Sequence, residues 1–247
     1  MKAYDPNLSF LANCTDAELD PMIDVLLDKD RKGRISSELE LEARYKCYYP
    51  RHSMYADLIA HELQKYGGNT IANIFRGGEG VSYRELLCDV CDEMKVNYNK
   101  QAKIEMIEDG LLAKVLEKVW EEMSVEERRM TLEEIGCNPH AVGGATASVM
   151  IALFRKGGFH SYKLVLIVVN AVWRAIFGKG LSLAANRTIC QALAVATGPI
   201  GWAVSAAWTA IDIGSPALRV TIPGAIYIAA LRRMKNEQAA LASLKSA

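Results

Sequence analysis

Acidic residues are nearly missing from the C-terminal part of this 247-residue chain. Residues 141–247 contain two, Asp212 and Glu237, against eleven lysines and arginines, whereas residues 1–140 contain 27 acids and 18 bases. The formal net charge is zero, so the composition gives no indication of a nucleic-acid partner. The split predicts an acidic part that faces water and a basic, apolar part that lies in the protein's own core or at a membrane surface.

Several other features are missing. No apolar stretch of a secretory signal follows Met1, and the six cysteines are scattered along the chain. We therefore expect a cytoplasmic protein with reduced thiols. Segments with strand-like alternation of apolar and polar residues are also missing, which disfavours a β-sheet.

What the sequence does contain is a series of helix signals. Three capping boxes are formed by Thr15 with Glu18, Ser82 with Glu85, and Ser124 with Glu127. Apolar residues with helical spacing follow, the longest series running from Ile104 to Trp120. We predict an all-α helical bundle in three segments: a small N-terminal helical segment (1–36), an amphipathic helical domain (37–137) and an apolar, basic helical-hairpin region (138–247).

The hairpin is inferred from the uncharged residues 188–211, a stretch that is long enough for a membrane-spanning helix. Gly198-Pro199 lies near its middle, and proline disfavours a straight helix, so two short arms turning at Gly198, Pro199 and Gly201 are the better interpretation. Trp202 and Trp208 on the second arm fit a membrane interface and a protein core equally well, as does Trp173. A last apolar helix is predicted over residues 221–234, with Arg232, Arg233 and Lys235 in its final turn.

No catalytic constellation is evident, and we predict neither an enzyme nor a cofactor. Cys88 and Cys91 form a C-x-x-C, but a structural zinc takes four ligands and no second pair follows. A small hydrophobic role for these cysteines is therefore favoured over a metal site. The four histidines are isolated and match no catalytic or metal-binding motif. The glycines at 77–80 precede a helix without a preceding strand, which favours a turn, with an anion site near Ser82 assisted by Arg76 as the alternative.

Three stretches resemble the bacterial YaaW family, to which no reaction is assigned. They are HELQKYGGNTIAN (61–73) continuing to YRELLCDV (83–90), RVTIP (219–223) with AALRRM (229–234), and the opening LSFL (8–11) with Cys14 and Leu19-Asp20. The resemblance implies a helical protein whose middle region is remotely similar to ubiquinol–cytochrome c chaperones. It directs attention to candidates for partner or anion binding in the first stretch (Glu62, Gly67, Gly68, Asn69, Asn73, Arg76, Gly77, Tyr83 and Asp89) and to Arg219 and Pro223 in the second.

Two functions follow as hypotheses. The first is a non-enzymatic interaction or regulatory protein that associates peripherally with the inner membrane through its apolar C-terminal hairpin. The second is a soluble helical assembly chaperone that binds a client protein through residues 61–90. Both require a protein partner or a membrane surface, and neither requires nucleic acid.

Overall fold

Helices without strands make up the described part of the chain. The computed structural model describes residues 5–27, 39–67, 80–138, 146–177 and 217–246. Three short 3₁₀ helices cover Pro6–Asn13, Leu39–Leu41 and His52–Tyr55. The α-helices are α1 (Asp16–Leu27), α2 (Ala43–Tyr48), α3 (Ala56–Gly67), α4 (Tyr83–Glu93), α5 (Ile104–Glu122), α6 (Val125–Glu134), α7 (Ala147–Lys156), α8 (Gly158–Phe177) and α9 (Leu218–Ser246). The predicted all-α bundle is confirmed.

Helices begin where the capping boxes predict them. The Thr15 amide donates to Glu18 Oε2 at 2.8 Å, and the Glu18 amide donates back to Thr15 Oγ1 at 3.3 Å. Ser124 and Glu127 exchange the same two bonds, at 2.8 and 3.3 Å. The Ser82 hydroxyl accepts the N–H three residues further on, at 3.2 Å. Each box supplies acceptors for amides that have no partner inside the first helical turn.

The predicted apolar series are the core-facing sides of their helices. All eight apolar positions of the series from Ile104 to Trp120 are buried in α5, and the apolar residues with helical spacing after Ser82 are buried as well: Tyr83, Leu86, Leu87, Val90 and Met94. The buried α5 residues are Ile104, Ile107, Leu111, Leu112, Val115, Leu116, Val119 and Trp120. Spacing of 3.6 residues per turn places such residues on one side, and their burial is the main force that orders these helices.

The C-terminal helix α9 forms the centre of the bundle. It packs against α1, α3, α4, α5 and α8. Residues 220–231 are buried on every side, as expected of a helix that is apolar all round. Pro223 lies inside this buried stretch, whereas Arg219 is exposed. The sequence-based end of this helix at residue 234 is wrong, because α9 continues to Ser246 and its arginine pair therefore lies mid-helix.

The aromatic side chain at position 173 belongs to the core. Trp173 is 1% exposed, and its ring lies 5.1 Å from that of Tyr227 on α9. Among the described helices, none combines the length and apolar character needed to cross a bilayer. The predicted hairpin, with Gly198, Pro199, Gly201, Trp202 and Trp208, lies outside the described residues. Its membrane or core location stays a prediction, as does the division into three segments.

Candidate functional site

A buried ion pair joins α5 to α9. Glu108 Oε2 accepts from Arg232 Nε at 2.7 Å, and the two side chains are 2% and 12% exposed. The other carboxylate oxygen of Glu108 accepts from the Tyr83 hydroxyl on α4 at 2.8 Å. Three helices therefore meet at one carboxylate, and both of its oxygens have a donor.

Arg232 extends this network to the N-terminal 3₁₀ helix. It donates to the carbonyl oxygen of Asn7, and its guanidinium lies 4.3 Å from the centre of the Phe10 ring. Contact between a guanidinium and an aromatic face is favourable when water is excluded. Arg232 thus links the first and last helices of the described chain, because it lies 225 residues after Asn7 in the sequence.

Burial dominates the electrostatics of this network. Desolvation raises the pKa of Glu108 to about 7, although Arg232 and the Tyr83 hydroxyl both lower it. The pKa of Tyr83 is raised well above its usual range by burial and then by the Glu108 carboxylate. A low-polarity environment disfavours the charged form of each group. Glu108 therefore exchanges a proton near neutral pH.

The neighbouring arginine holds four elements together. Arg233 on α9 donates to Asp109 Oδ1 on α5 at 2.6 Å and to Ser161 Oγ on α8 at 3.0 Å. It also donates to the Phe154 carbonyl at the end of α7 at 2.7 Å, and its guanidinium lies 4.2 Å from the Phe154 ring centre. Glu237, one turn further along α9, lies 3.6 Å from Arg233. It accepts from the Gly158 amide at 2.7 Å.

The third cation of the cluster is also paired. Lys235 Nζ lies 2.8 Å from Glu18 Oε2 on α1, and the backbone oxygen of Glu18 accepts from the Tyr227 hydroxyl at 2.7 Å. The acid-poor C-terminal part and the acid-rich N-terminal part are therefore joined through ion pairs inside the molecule. These contacts account for the placement of Arg232, Arg233 and Lys235 without a membrane surface.

A cleft of about 270 Å³ opens between α5 and α9 over these pairs. Its lining is Glu105, Glu108, Asp109, Ala229, Arg232, Arg233, Asn236, Glu237 and Ala240. Pockets for drug-sized ligands and cofactors usually measure about 300–1,000 Å³ and are mostly apolar, so this cleft is small and too polar for that class. Because both guanidiniums donate to carboxylates and carbonyls of the chain, an anion would have to break existing bonds to enter. The arrangement is best suited to holding helices together.

The predicted anion site at the start of α4 is filled from within the chain. The Tyr83 amide donates to Asp5 Oδ2 at 2.7 Å, and the same oxygen accepts from Gln64 Nε2 at 3.2 Å. A carboxylate at a helix N-terminus is favoured by the helix dipole and by the unpaired amides there. Asp5 therefore takes the place that a free anion would occupy.

The partner-binding candidates separate into buried and exposed positions. Glu62, 4% exposed and 3.5 Å from Lys65 Nζ, and Tyr83, fully buried, act inside the bundle and are out of reach of a partner in this conformation. Gly67 ends α3, and Asp89 is exposed on α4. Outside the described residues lie Gly68, Asn69, Asn73, Arg76 and Gly77. Their role stays a prediction.

The residue that sequence reasoning missed is Glu108. It lies four residues after Ile104 and three before Leu111, on the buried side of α5. An acidic residue within an apolar helical series is rarely left unpaired, and this was the available signal. Arg232, its partner, lay in the quoted AALRRM stretch, but its pairing required the tertiary structure.

The two cysteines of α4 differ in burial, and their predicted hydrophobic role stays a prediction. Cys91 is fully buried, and burial raises the pKa of its thiol to about 12, while Cys88 is partly buried. No group of three or more potential metal ligands occurs in the part of the chain that the structure describes.

His52 is a buried histidine whose ring nitrogens both have a polar neighbour. Its Nδ1 lies 2.5 Å from the Tyr55 hydroxyl oxygen, and its Nε2 lies 3.3 Å from Asp20 Oδ1.

The chain has relatives that match it over most of its length. It is 44% identical to a UPF0174 protein of Helicobacter pylori J99 over 96% of this chain and 94% of that protein. The chain belongs to the UPF0174 family. The UPF0174 protein YaaW of Escherichia coli K12 is 31% identical, over 93% of this chain and 94% of its own. The predicted resemblance to YaaW is thereby confirmed.

A family model described as Ubiquinol-cytochrome C chaperone matches residues 51–230 of this UPF0174 protein. The matched range begins at the 3₁₀ helix before α3 and ends inside the buried part of α9. It includes Tyr83 and Glu108, whereas Arg232 lies two residues beyond it. No solved structure matches the chain.

Proposed function

We propose that this UPF0174 protein is a non-enzymatic, chaperone-like protein that binds a basic client polypeptide on the outer face of α4. The observation that carries the proposal is the internal pairing of the C-terminal cations. Arg232, Arg233 and Lys235 are held by Glu108, Asp109 and Glu18. These cations are therefore poorly placed to bind an anionic membrane surface or a nucleic acid.

The remaining charge favours a basic protein. Residues 80–138 carry 14 acids and 8 bases, and Glu85, Asp89, Asp92 and Glu93 are exposed on α4. Partial burial raises the pKa of Asp89, and the carboxylates of Glu85 and Asp92 raise it further, while Lys100, which pairs with Asp92 at 2.9 Å, lowers it. Like charges one turn apart repel each other, so a cation from a partner would relieve this repulsion. The family model named for a chaperone supports a protein client as the partner class.

A photo-crosslinking amino acid placed at position 89 in cells tests the proposal. We expect an adduct with a basic protein, and we expect Glu85→Lys to abolish it because the attraction becomes repulsion. The matched control places the crosslinker at Glu121, which is exposed near the end of α5. Adducts that are the same at both positions, or no adduct at position 89, would refute client binding at this face.

The alternative function is peripheral membrane association through residues 188–211, and the uncharged composition of that stretch favours it. Flotation with anionic liposomes separates the two proposals. A client-binding protein without membrane affinity stays at the bottom of the gradient at low and at moderate salt. Co-flotation of the intact chain would favour the membrane function.

A further inference from the structure

Two glycines connect α7 to α8 in a conformation that other residues rarely adopt. Gly157 has φ 79° and ψ −173°, a region that is essentially restricted to glycine, and Gly158 has φ 76°. Gly157 is the single residue between the two helices. The direction of α7 relative to α8 is therefore set by two backbone positions with unusual freedom.

Helix α7 packs against α5 and α8 through one side, where Ile151 and Leu153 are also partly buried, and its other side is exposed. Only Met150 and Phe154 of its ten residues are fully buried, and Val149 is 43% exposed. The Thr146 side chain makes no capping bond at its N-terminus. In contrast, α8 is buried at every position from 164 to 169. Opening would expose these side chains and the surfaces of α5 and α8 that they cover, so the open form is a minor state of the protein.

The closed position of α7 is held from α9. Arg233 bonds to the Phe154 carbonyl and covers the Phe154 ring, while Glu237 accepts the Gly158 amide. The Arg233–Glu237 pair on α9 therefore bonds to the last turn of α7 and to the first residue of α8. Asp109 and Ser161 keep Arg233 in place when α7 leaves, so the grip can re-form.

We propose that α7 is a hinged lid, latched by Arg233 and Glu237, which opens at Gly157–Gly158 and uncovers an apolar docking face on α5 and α8. The face is shaped for a helix that carries two large apolar side chains one turn apart, because α7 itself presents Met150 and Phe154 in that spacing. This inference rests on the proposed function in one respect: the client supplies the helix that replaces α7. The lid motion itself requires no client.

Two matched glycine variants test the motion by native-state hydrogen exchange. In Gly158→Ala the added methyl group strains the closed hinge, so the α7 amides should exchange about 5- to 30-fold faster than in wild type. Gly136→Ala is the control, because Gly136 has φ 80° and, like Gly158, open space around an added Cβ, but it follows α6. If both variants change α7 exchange equally, or if wild-type α7 exchanges only as slowly as α5, the lid is refuted.

A labelled peptide with the sequence of residues 146–157 tests the docking face. We expect it to bind Gly158→Ala more tightly than Gly136→Ala by the same factor that exchange shows, because the fraction of open protein sets the apparent affinity. Equal or undetectable binding to both variants would overturn the docking face. If exchange and peptide binding succeed while the α4 crosslink fails, the lid stands and the proposed client surface is refuted.

Discussion

Replacing Glu108 by glutamine separates the charge of the buried network from its hydrogen bonds. The folded protein binds a proton at Glu108 up to about pH 7, whereas the unfolded chain releases it near the usual value of 4.5. Between these values the folded state holds more protons than the unfolded state, so this group's contribution to stability falls as the pH rises. A difference of about 2.5 pKa units corresponds to about 3 kcal/mol for this buried side chain, which is 2% exposed.

The variants should therefore respond differently to pH. In Glu108→Gln the amide oxygen accepts from Arg232 and the amide nitrogen donates to the Tyr83 hydroxyl oxygen, and nothing ionises. Relative to wild type, the free energy of unfolding of this variant should rise by about 3 kcal/mol between about pH 4 and about pH 8. Glu108→Ala leaves a buried guanidinium without its carboxylate and should lose about 3–5 kcal/mol at neutral pH.

Urea unfolding followed by circular dichroism at several pH values measures these free energies. Subtracting the wild-type curve from each variant curve removes the contribution that the other titrating groups make to both proteins. Glu121→Gln on the exposed side of α5 is the control and should stay within about 0.5 kcal/mol of wild type. A difference between Glu108→Gln and wild type that changes by less than about 1 kcal/mol over this range would refute a raised pKa. If Glu108→Gln lowered the free energy of unfolding as much as Glu108→Ala, the attraction within the ionised pair would outweigh the desolvation of Glu108.

Two further predictions concern packing. Trp173→Ala should destabilise the protein by about 3–5 kcal/mol in urea unfolding, because it removes a core ring that contacts Tyr227; a loss below about 0.5 kcal/mol would mean that the ring is not part of a rigid core. Gly80→Ala should lower the melting temperature, because the new Cβ would lie 2.2 Å from the backbone carbon of Gln64. Gly110→Ala on α5 should raise the melting temperature, because alanine has the higher helix propensity and adds about 0.5–1 kcal/mol to the free energy of unfolding. Melting temperatures that shift in the same direction for both glycine variants would contradict this steric argument.

Local features of the fold were predictable because neighbouring residues determine them. The capping boxes at Thr15 and Ser124 act within one turn, and the apolar series of α5 reflects helical geometry. The end of α9 was not predictable from local signals. Cations at 232–235 indicate a final turn when only the helix dipole is considered. Their actual partners are Glu108, Asp109 and Glu18, which lie more than a hundred residues earlier in the chain.

The sequence by itself determined the helical class of this protein, the starts of several helices and the division of charge between its two parts. These properties depend on periodicity, capping and composition, which are local. Only the tertiary structure decided where the charges meet, because the partners of a buried ion are set by packing of distant helices. It showed that α9 is a central helix whose cations form ion pairs with acidic side chains of the same chain. It also brought Arg233 and Glu237 to the Gly157–Gly158 hinge, a contact that no spacing within the chain encodes.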